Sequence, residues 1–169
     1  MERVLRRWRP EDKTALAELL NNQNILNNLR DGLPYPYTVT DAEEYITSML
    51  SADQAKTFAF AITAEGRVIG SIGVFRCDNI HARTAEMGYY IGQPYWGKGF
   101  ATRAVKEICE YVFEHTDIIR IFAEPFAYNA ASCRVLEKAG FQLEGTLRSS
   151  AVKNGKILDM RLYALVKAE

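Results

Sequence analysis

The chain has 169 residues, 48% of them hydrophobic and 25% charged, a composition ordinary for a globular protein and a length that suits one domain with a real core and is short for two. Lys plus Arg and Asp plus Glu number 21 each, so there is no broad basic field of the kind that holds nucleic acid. The opening residues MERVLRRWRP are charged and carry no apolar run, and no segment approaches the roughly 18 apolar residues of a membrane span, so the expectation is a cytoplasmic protein bound to neither nucleic acid nor membrane.

The first residues read as a short extended piece that passes through Pro10 into a helix, with Leu16, Leu19 and Leu20 as its buried stripe. The stretch NNLRDGLPYPYTVT, rich in Asn, Gly and Pro with aromatics between, reads as an irregular loop. Thr40 with Glu43 after it fits a capping box and predicts a second helix running towards Leu50. TFAFAIT and RVIGSIGVF are apolar β-runs joined by AEGR, which makes a hairpin, and AEMGYYIG is a third strand. From Ala101 the apolar residues Ala104, Val105, Ile108, Cys109 and Val112 recur in steps of three and four, so a helix packs one face on the sheet. IIRIFAE follows as a strand; Asn129 then caps a helix from Ala130 to Lys138, and Gly140 ends it. FQLEGTLRS and ILDMRLYALV are the last strands, joined through Asn154-Gly155. In the last, Leu158, Met160 and Leu162 alternate with Asp159, Arg161 and Tyr163, predicting one covered and one open face. The order is β-α-α-β-β-β-α-β-α-β-β, a mixed α/β sheet flanked by helices.

Cys77, Cys109 and Cys133 form no CxxC pair, and His81 and His115 stand alone. Neither a metal site nor a disulfide framework is expected.

The stretch that asks for a function is YWGKGFATRA, positions 95 to 104. It joins a strand to a helix. Glycines there serve a plain tight turn, or let a phosphate approach the unpaired amides of the helix N-terminus. The GxxxxGK[ST] pattern of a P-loop is absent. Asp117 lies about 20 residues beyond Gly97, as a dinucleotide fingerprint asks, but the glycine spacing does not match.

The segment from Trp96 to Ala101 resembles the acyl-CoA pyrophosphate loop of the GNAT N-acetyltransferases, with Gly99 and Ala101 at its small positions and Trp96 where Gln or Arg is usual. NAASCRVLEKAGF, 129 to 141, resembles the second signature of that family. Together with LPYPYT, EMGYYI and EGTLR, these segments look like the branch that contains the ribosomal-protein N-terminal acetyltransferases. The resemblance implies a single N-acetyltransferase domain over 1–169 with a GNAT-like, largely antiparallel sheet. It implies acetyl-CoA as co-substrate and direct attack on its thioester by a primary amine, that of a protein or peptide N-terminus or of a small molecule such as an amino acid, polyamine or aminoglycoside.

The same resemblance assigns residues. The backbone amides of Gly97, Lys98, Gly99, Phe100, Ala101 and Thr102 hold the pyrophosphate, the main chain of Tyr89, Tyr90 and Ile91 pairs with the pantetheine arm, and Asn129 contacts the cofactor. Glu124 and Glu86 are the candidate bases, for the amine must be neutral to attack. Ser132 is the candidate acid and a further cofactor contact, because Leu136 stands where many members carry tyrosine. Ala151 replaces a downstream carboxylate of the ribosomal-protein branch. Cys133, with no nearby histidine to activate it, is not expected to act as a nucleophile. Tyr35 and Tyr37, then Trp96 and Tyr128, are expected to wall the acceptor pocket. A non-catalytic acyl-CoA sensor and a nucleotide-binding protein are the competing readings; a monomer and a homodimer are both compatible with the sequence.

Overall fold

The computed structural model describes residues 2–169. In chain order the elements are β1 (Leu5–Arg7), α1 (Lys13–Leu20), α2 (Gln23–Leu26), α3 (Val39–Ser51), β2 (Thr57–Ala64), β3 (Arg67–Arg76), β4 (Thr84–Ile91), α4 (Phe100–His115), β5 (Arg120–Ala123), α5 (Ala130–Lys138), β6 (Gln142–Lys153) and β7 (Lys156–Val166). The strands form one seven-stranded sheet in the order β1-β2-β3-β4-β5-β7-β6. Every neighbouring pair is antiparallel except β4 and β5.

Both hairpins are set by their turns. Glu65 and Gly66, between β2 and β3, have φ of 50° and 77°; Asn154 and Gly155, between β6 and β7, have 52° and 75°. Positive φ at both central positions is the turn whose twist matches that of paired strands.

The sheet is covered on both faces, and β3 is accordingly buried without interruption from Val68 to Val74. On one face α4 lays down Ala104, Val105, Ile108, Cys109 and Val112, packed with Ile72, Val74, Ala85 and Met87. On the other, α1 and α3 bury Leu16, Leu20, Ala42 and Ile46 with Trp8 and Ala61. Ile108 is fully buried, and truncating it to alanine would cost about 2–5 kcal/mol.

Three local readings change. The helix expected to start at Thr40 is capped two residues earlier, because the Thr38 hydroxyl accepts from the Asp41 N–H while the Asp41 carboxylate accepts from the Thr38 N–H. The Asn-rich segment before the loop contains one helical turn, α2, whose cap is the Asn22 side chain accepting from the Asn24 N–H. In β7 the alternation breaks at Tyr163, which is fully buried with Cys133 and Leu136. Its end of β7 lies between β5 and β6, so a face that is open at Asp159 is covered at Tyr163.

Candidate active site

The feature that makes a site is a split in the sheet. β4 and β5 pair only at Thr84–Arg120, Ala85–Ile121 and Glu86–Phe122. β4 then runs on to Ile91 without its neighbour. The Gly92 N–H donates to the Ile69 carbonyl of β3 at 2.7 Å. Antiparallel alternation therefore directs the main chain of Tyr90 and Gly88 towards β3, and that of Tyr89 and Ile91 into the gap. Of the three residues expected to pair with pantetheine, Tyr89 and Ile91 offer main-chain groups there and Tyr90 does not. Trp96 closes the end of the gap, its indole N–H donating to the Ile91 carbonyl at 2.7 Å.

Beyond Trp96 lies the glycine turn. Gly97 and Gly99 have φ of 75° and 84°, and nothing lies within 4 Å of where a Cβ would be on either. The glycines thus serve backbone conformation rather than packing. Gly99 is the N-cap of α4. Among the described residues, the N–H groups of Gly97, Lys98, Gly99, Phe100, Ala101 and Thr102 have no hydrogen-bond partner. An ordinary helix start leaves four such donors, and here the dipole of α4 adds positive potential behind them. Lys98 folds back over the Tyr95 ring, 5.9 Å from its centroid. Arg134 and Lys138 on α5, which the sequence reading passed over, line the same cleft and supply further positive charge.

The cleft widens into a cavity of about 1010 Å³ that takes in Glu86, Glu124, Asn129, Ser132 and Trp96. Asn129 caps α5, its side-chain oxygen accepting from the Ser132 N–H at 3.2 Å. The Ser132 hydroxyl is 2.7 Å from the Tyr89 hydroxyl. Burial pushes the Tyr89 phenol up to about 12, against a smaller opposing effect of the Ser132 bond, so it keeps its proton through the neutral range. Leu136 is fully buried in the core, and the hydroxyl that faces the cleft beside α5 comes instead from β4. Cys133, beside Ser132, is buried in that same core.

Glu86 and Glu124 are brought together by a residue that sequence reasoning missed. Arg30, in the loop between α2 and α3, donates to both carboxylate oxygens of Glu86, at 2.7 and 3.3 Å. The same guanidinium lies 3.5 Å from Glu124. The hydrogen bonds to Glu86 raise the Arg30 pKa above its ordinary value. Arg30 is the one cation in NNLRDGLPYPYT, which was the available signal. The Arg30 loop is tethered beside the cavity: the Tyr128 hydroxyl donates to the Asn27 carbonyl, and Lys153 on the β6–β7 arm pairs with Asp31 at 3.2 Å.

The expected aromatic wall is placed differently. Tyr37 is 3% exposed and packs in the core beneath α1 and α3, held by the Asn21 side chain, which bonds both its N–H and its carbonyl. Tyr35 is 62% exposed and does not line the cavity. Tyr128 stacks on Phe126 and acts as a tether. Trp96 does line the cavity, and with it stand Leu29, Tyr45, Phe75 and Tyr90.

Free amides, an open strand edge and a cavity in one line fit a long phosphate-bearing thioester. Six unpaired amides are open to a diphosphate, and the main-chain groups of Tyr89 and Ile91 that face the gap are open to an extended arm.

A family model described as the acetyltransferase (GNAT) domain matches residues 3–142. The uncharacterized N-acetyltransferase YoaA of Bacillus subtilis (strain 168) is 40% identical over 167 residues, 97% of this chain and 93% of that protein. The spermidine N(1)-acetyltransferase of Escherichia coli (strain K12) is 26% identical over 152 residues, 90% of this chain and 79% of that protein. Among solved structures, RimL, a ribosomal L7/L12 alpha-N-protein acetyltransferase in complex with coenzyme A, superposes with a TM-score of 0.87 at 21% identity, covering 96% and 93% of the two chains. That likeness establishes the fold. With cleft and family in agreement, the chain belongs to the GNAT acetyltransferases and is an N-acetyltransferase with acetyl-CoA as its co-substrate.

Proposed function

We propose that the acceptor is the α-amine of a peptide or protein N-terminus, acetylated by a single domain spanning residues 1–169. The observation that carries this reading is the Glu86–Arg30–Glu124 cluster at the mouth of the split. Two carboxylates and one guanidinium leave one net negative charge. A cationic amine is drawn to it, and an amine with an adjacent free carboxylate, as in an amino acid, is repelled. An α-amine, with a pKa near 8 against about 10.4 for lysine, needs the least help to become neutral near pH 7.

In this reading Glu124, at the end of β5, accepts the amine proton directly or through water. Glu86 holds Arg30 and sets the charge of the mouth. Asn129 positions Ser132, and Ser132 with Tyr89 delivers a hydrogen bond to the departing sulfur. The family resemblance supports the amide and Ser132 roles, and the 2.7 Å contact supports adding Tyr89.

The test is turnover with acetyl-CoA and thiol detection across three acceptor sets: peptides with free N-termini, the same peptides with the terminus blocked and an internal lysine, and small amines including spermidine and free amino acids. The expected outcome is acetylation of free-terminus peptides, located on the α-nitrogen by mass spectrometry. Turnover confined to spermidine or to free amino acids overturns the reading.

A further inference from the structure

The face of the sheet beneath the Arg30 loop carries three cross-strand pairs between β3 and β4: Ser71 with Tyr90, Gly73 with Gly88, and Phe75 with Glu86. Strand alternation puts all six on one face, and all six line the cavity. The middle pair is a gap in the floor. Gly73 has a reason in the fold, for a Cβ there would lie 2.7 Å from the Phe75 ring. Gly88 has none. No atom lies within 4 Å of where its Cβ would be, and its φ is outside the left-handed range. It is exposed, in the part of β4 that has run past its pairing with β5. Glycine inside a strand weakens the strand and commonly marks a place where a ligand comes close.

Leu29 and Tyr45 line the same cavity, and both pack with Tyr90 on this face. At its inner end Ser71 is 5% exposed. The hydroxyls of Tyr45, Tyr90 and Ser71 line this end of the cavity, and burial raises both phenols. Protonated phenols and a serine hydroxyl present an uncharged surface. The charged groups of this half are Glu86, Arg30 and Glu124 at the mouth, where the amine must be, and Asp31, which is paired with Lys153.

Resting on the peptide reading above, we infer that the chamber over Gly88 is a subsite for the side chain of the acceptor's first residue, and that this side chain is uncharged. Burying a charge against Leu29, Tyr45 and Tyr90 would go uncompensated. An apolar or hydroxyl-bearing side chain replaces water there at no such cost.

The experiment measures kcat/KM on peptides that differ only in their first residue, Gly, Leu or Asp, for the wild type and for Gly88→Val and Leu29→Ala. Valine is favoured in strands and has room at this position, and an acetyl-CoA thermal shift checks that each variant is folded. The wild type is expected to prefer Leu to Asp. Gly88→Val fills the chamber, so the Gly-to-Leu ratio of kcat/KM should rise by at least roughly 10–200-fold, the range for a single methylene group in an apolar pocket. Leu29→Ala enlarges the chamber and should move the ratio the other way. Wild-type turnover of peptides with a ratio that neither variant moves, or equal losses on every peptide, overturns the subsite and leaves the peptide reading standing. A wild type that turns over no peptide overturns both.

Discussion

The Tyr89 hydroxyl lies 2.7 Å from the Ser132 Oγ, joining the strand beside the split to the first turn of α5. Tyr89→Phe removes that hydroxyl and should lower kcat by roughly 100-fold, while the thermal shift produced by acetyl-CoA is retained. Ser132→Ala should do the same. Because the two groups act as one chain, the double variant should be little worse than the poorer single. The phenol, pushed to about 12 by burial, stays protonated below that pH. The wild-type rate should therefore show no fall centred near 10.0, the ordinary tyrosine value. Such a fall, absent from Tyr89→Phe, would contradict the assignment.

The two carboxylates should separate kinetically. Glu124→Gln is expected to lower kcat by roughly 100-fold or more, as loss of a general base does. Glu86→Gln removes the bidentate partner of Arg30, so it should act mainly by raising the acceptor KM. Steady-state kinetics on one peptide decides. Equal effects on kcat in both variants would argue against distinct roles.

At the cradle, Gly99→Ala isolates backbone conformation, because the added methyl touches nothing while φ remains 84°. The expected strain is about 1 kcal/mol. That corresponds to a melting temperature lower by about 2–4 °C. Gly99→Glu, which adds an anion at the N-cap of α4, should abolish the acetyl-CoA response that adds about 2.7 kcal/mol at a hundred times Kd.

Asp12 predicts the acid limb of stability. Burial alone would push its carboxyl up, but hydrogen bonds from the Arg6 guanidinium and the Arg9 N–H outweigh that and hold it below 3.8. A depressed carboxylate contributes stability that is complete above its unfolded value and lost as pH falls through the lower folded one. Asp12→Ala should therefore cost about 2–3 kcal/mol near neutrality, and progressively less as pH falls below 3.8. Urea titrations of both proteins at a series of pH values test this.

What the sequence disclosed follows the range of the forces involved. α5 was legible to the residue because its signals, Asn129 and Gly140, sit at its own ends. The run of unpaired amides before α4 was legible because six adjacent residues build it. Arg30 was not, since its partner Glu86 lies 56 positions away and nothing local marks a guanidinium as paired. Tyr37 read as a loop aromatic on the acceptor wall; its ring is buried with Leu16, Leu20 and Ile46, and its main chain is held by Asn21, 16 positions earlier. Tyr89 was read only for its main chain, and its hydroxyl reaches Ser132 across 43 positions. Gly73 and Gly88 did carry a local signal, as glycines inside strong strand patterns.

The split sheet has one more consequence, and it concerns time rather than affinity. The amides of Tyr89 and Ile91 sit in the middle of a seven-stranded sheet yet face a gap instead of a neighbouring strand. In the free protein they should exchange hydrogen for deuterium as fast as loop amides, while Ile72 and Val74 on the adjacent strand stay protected. Acetyl-CoA, lying where a strand would lie, should slow those two positions and leave Ile72 and Val74 unchanged. Slowed exchange at those two positions alone would mean that the core of this sheet is completed in each catalytic cycle by a molecule the enzyme must then release.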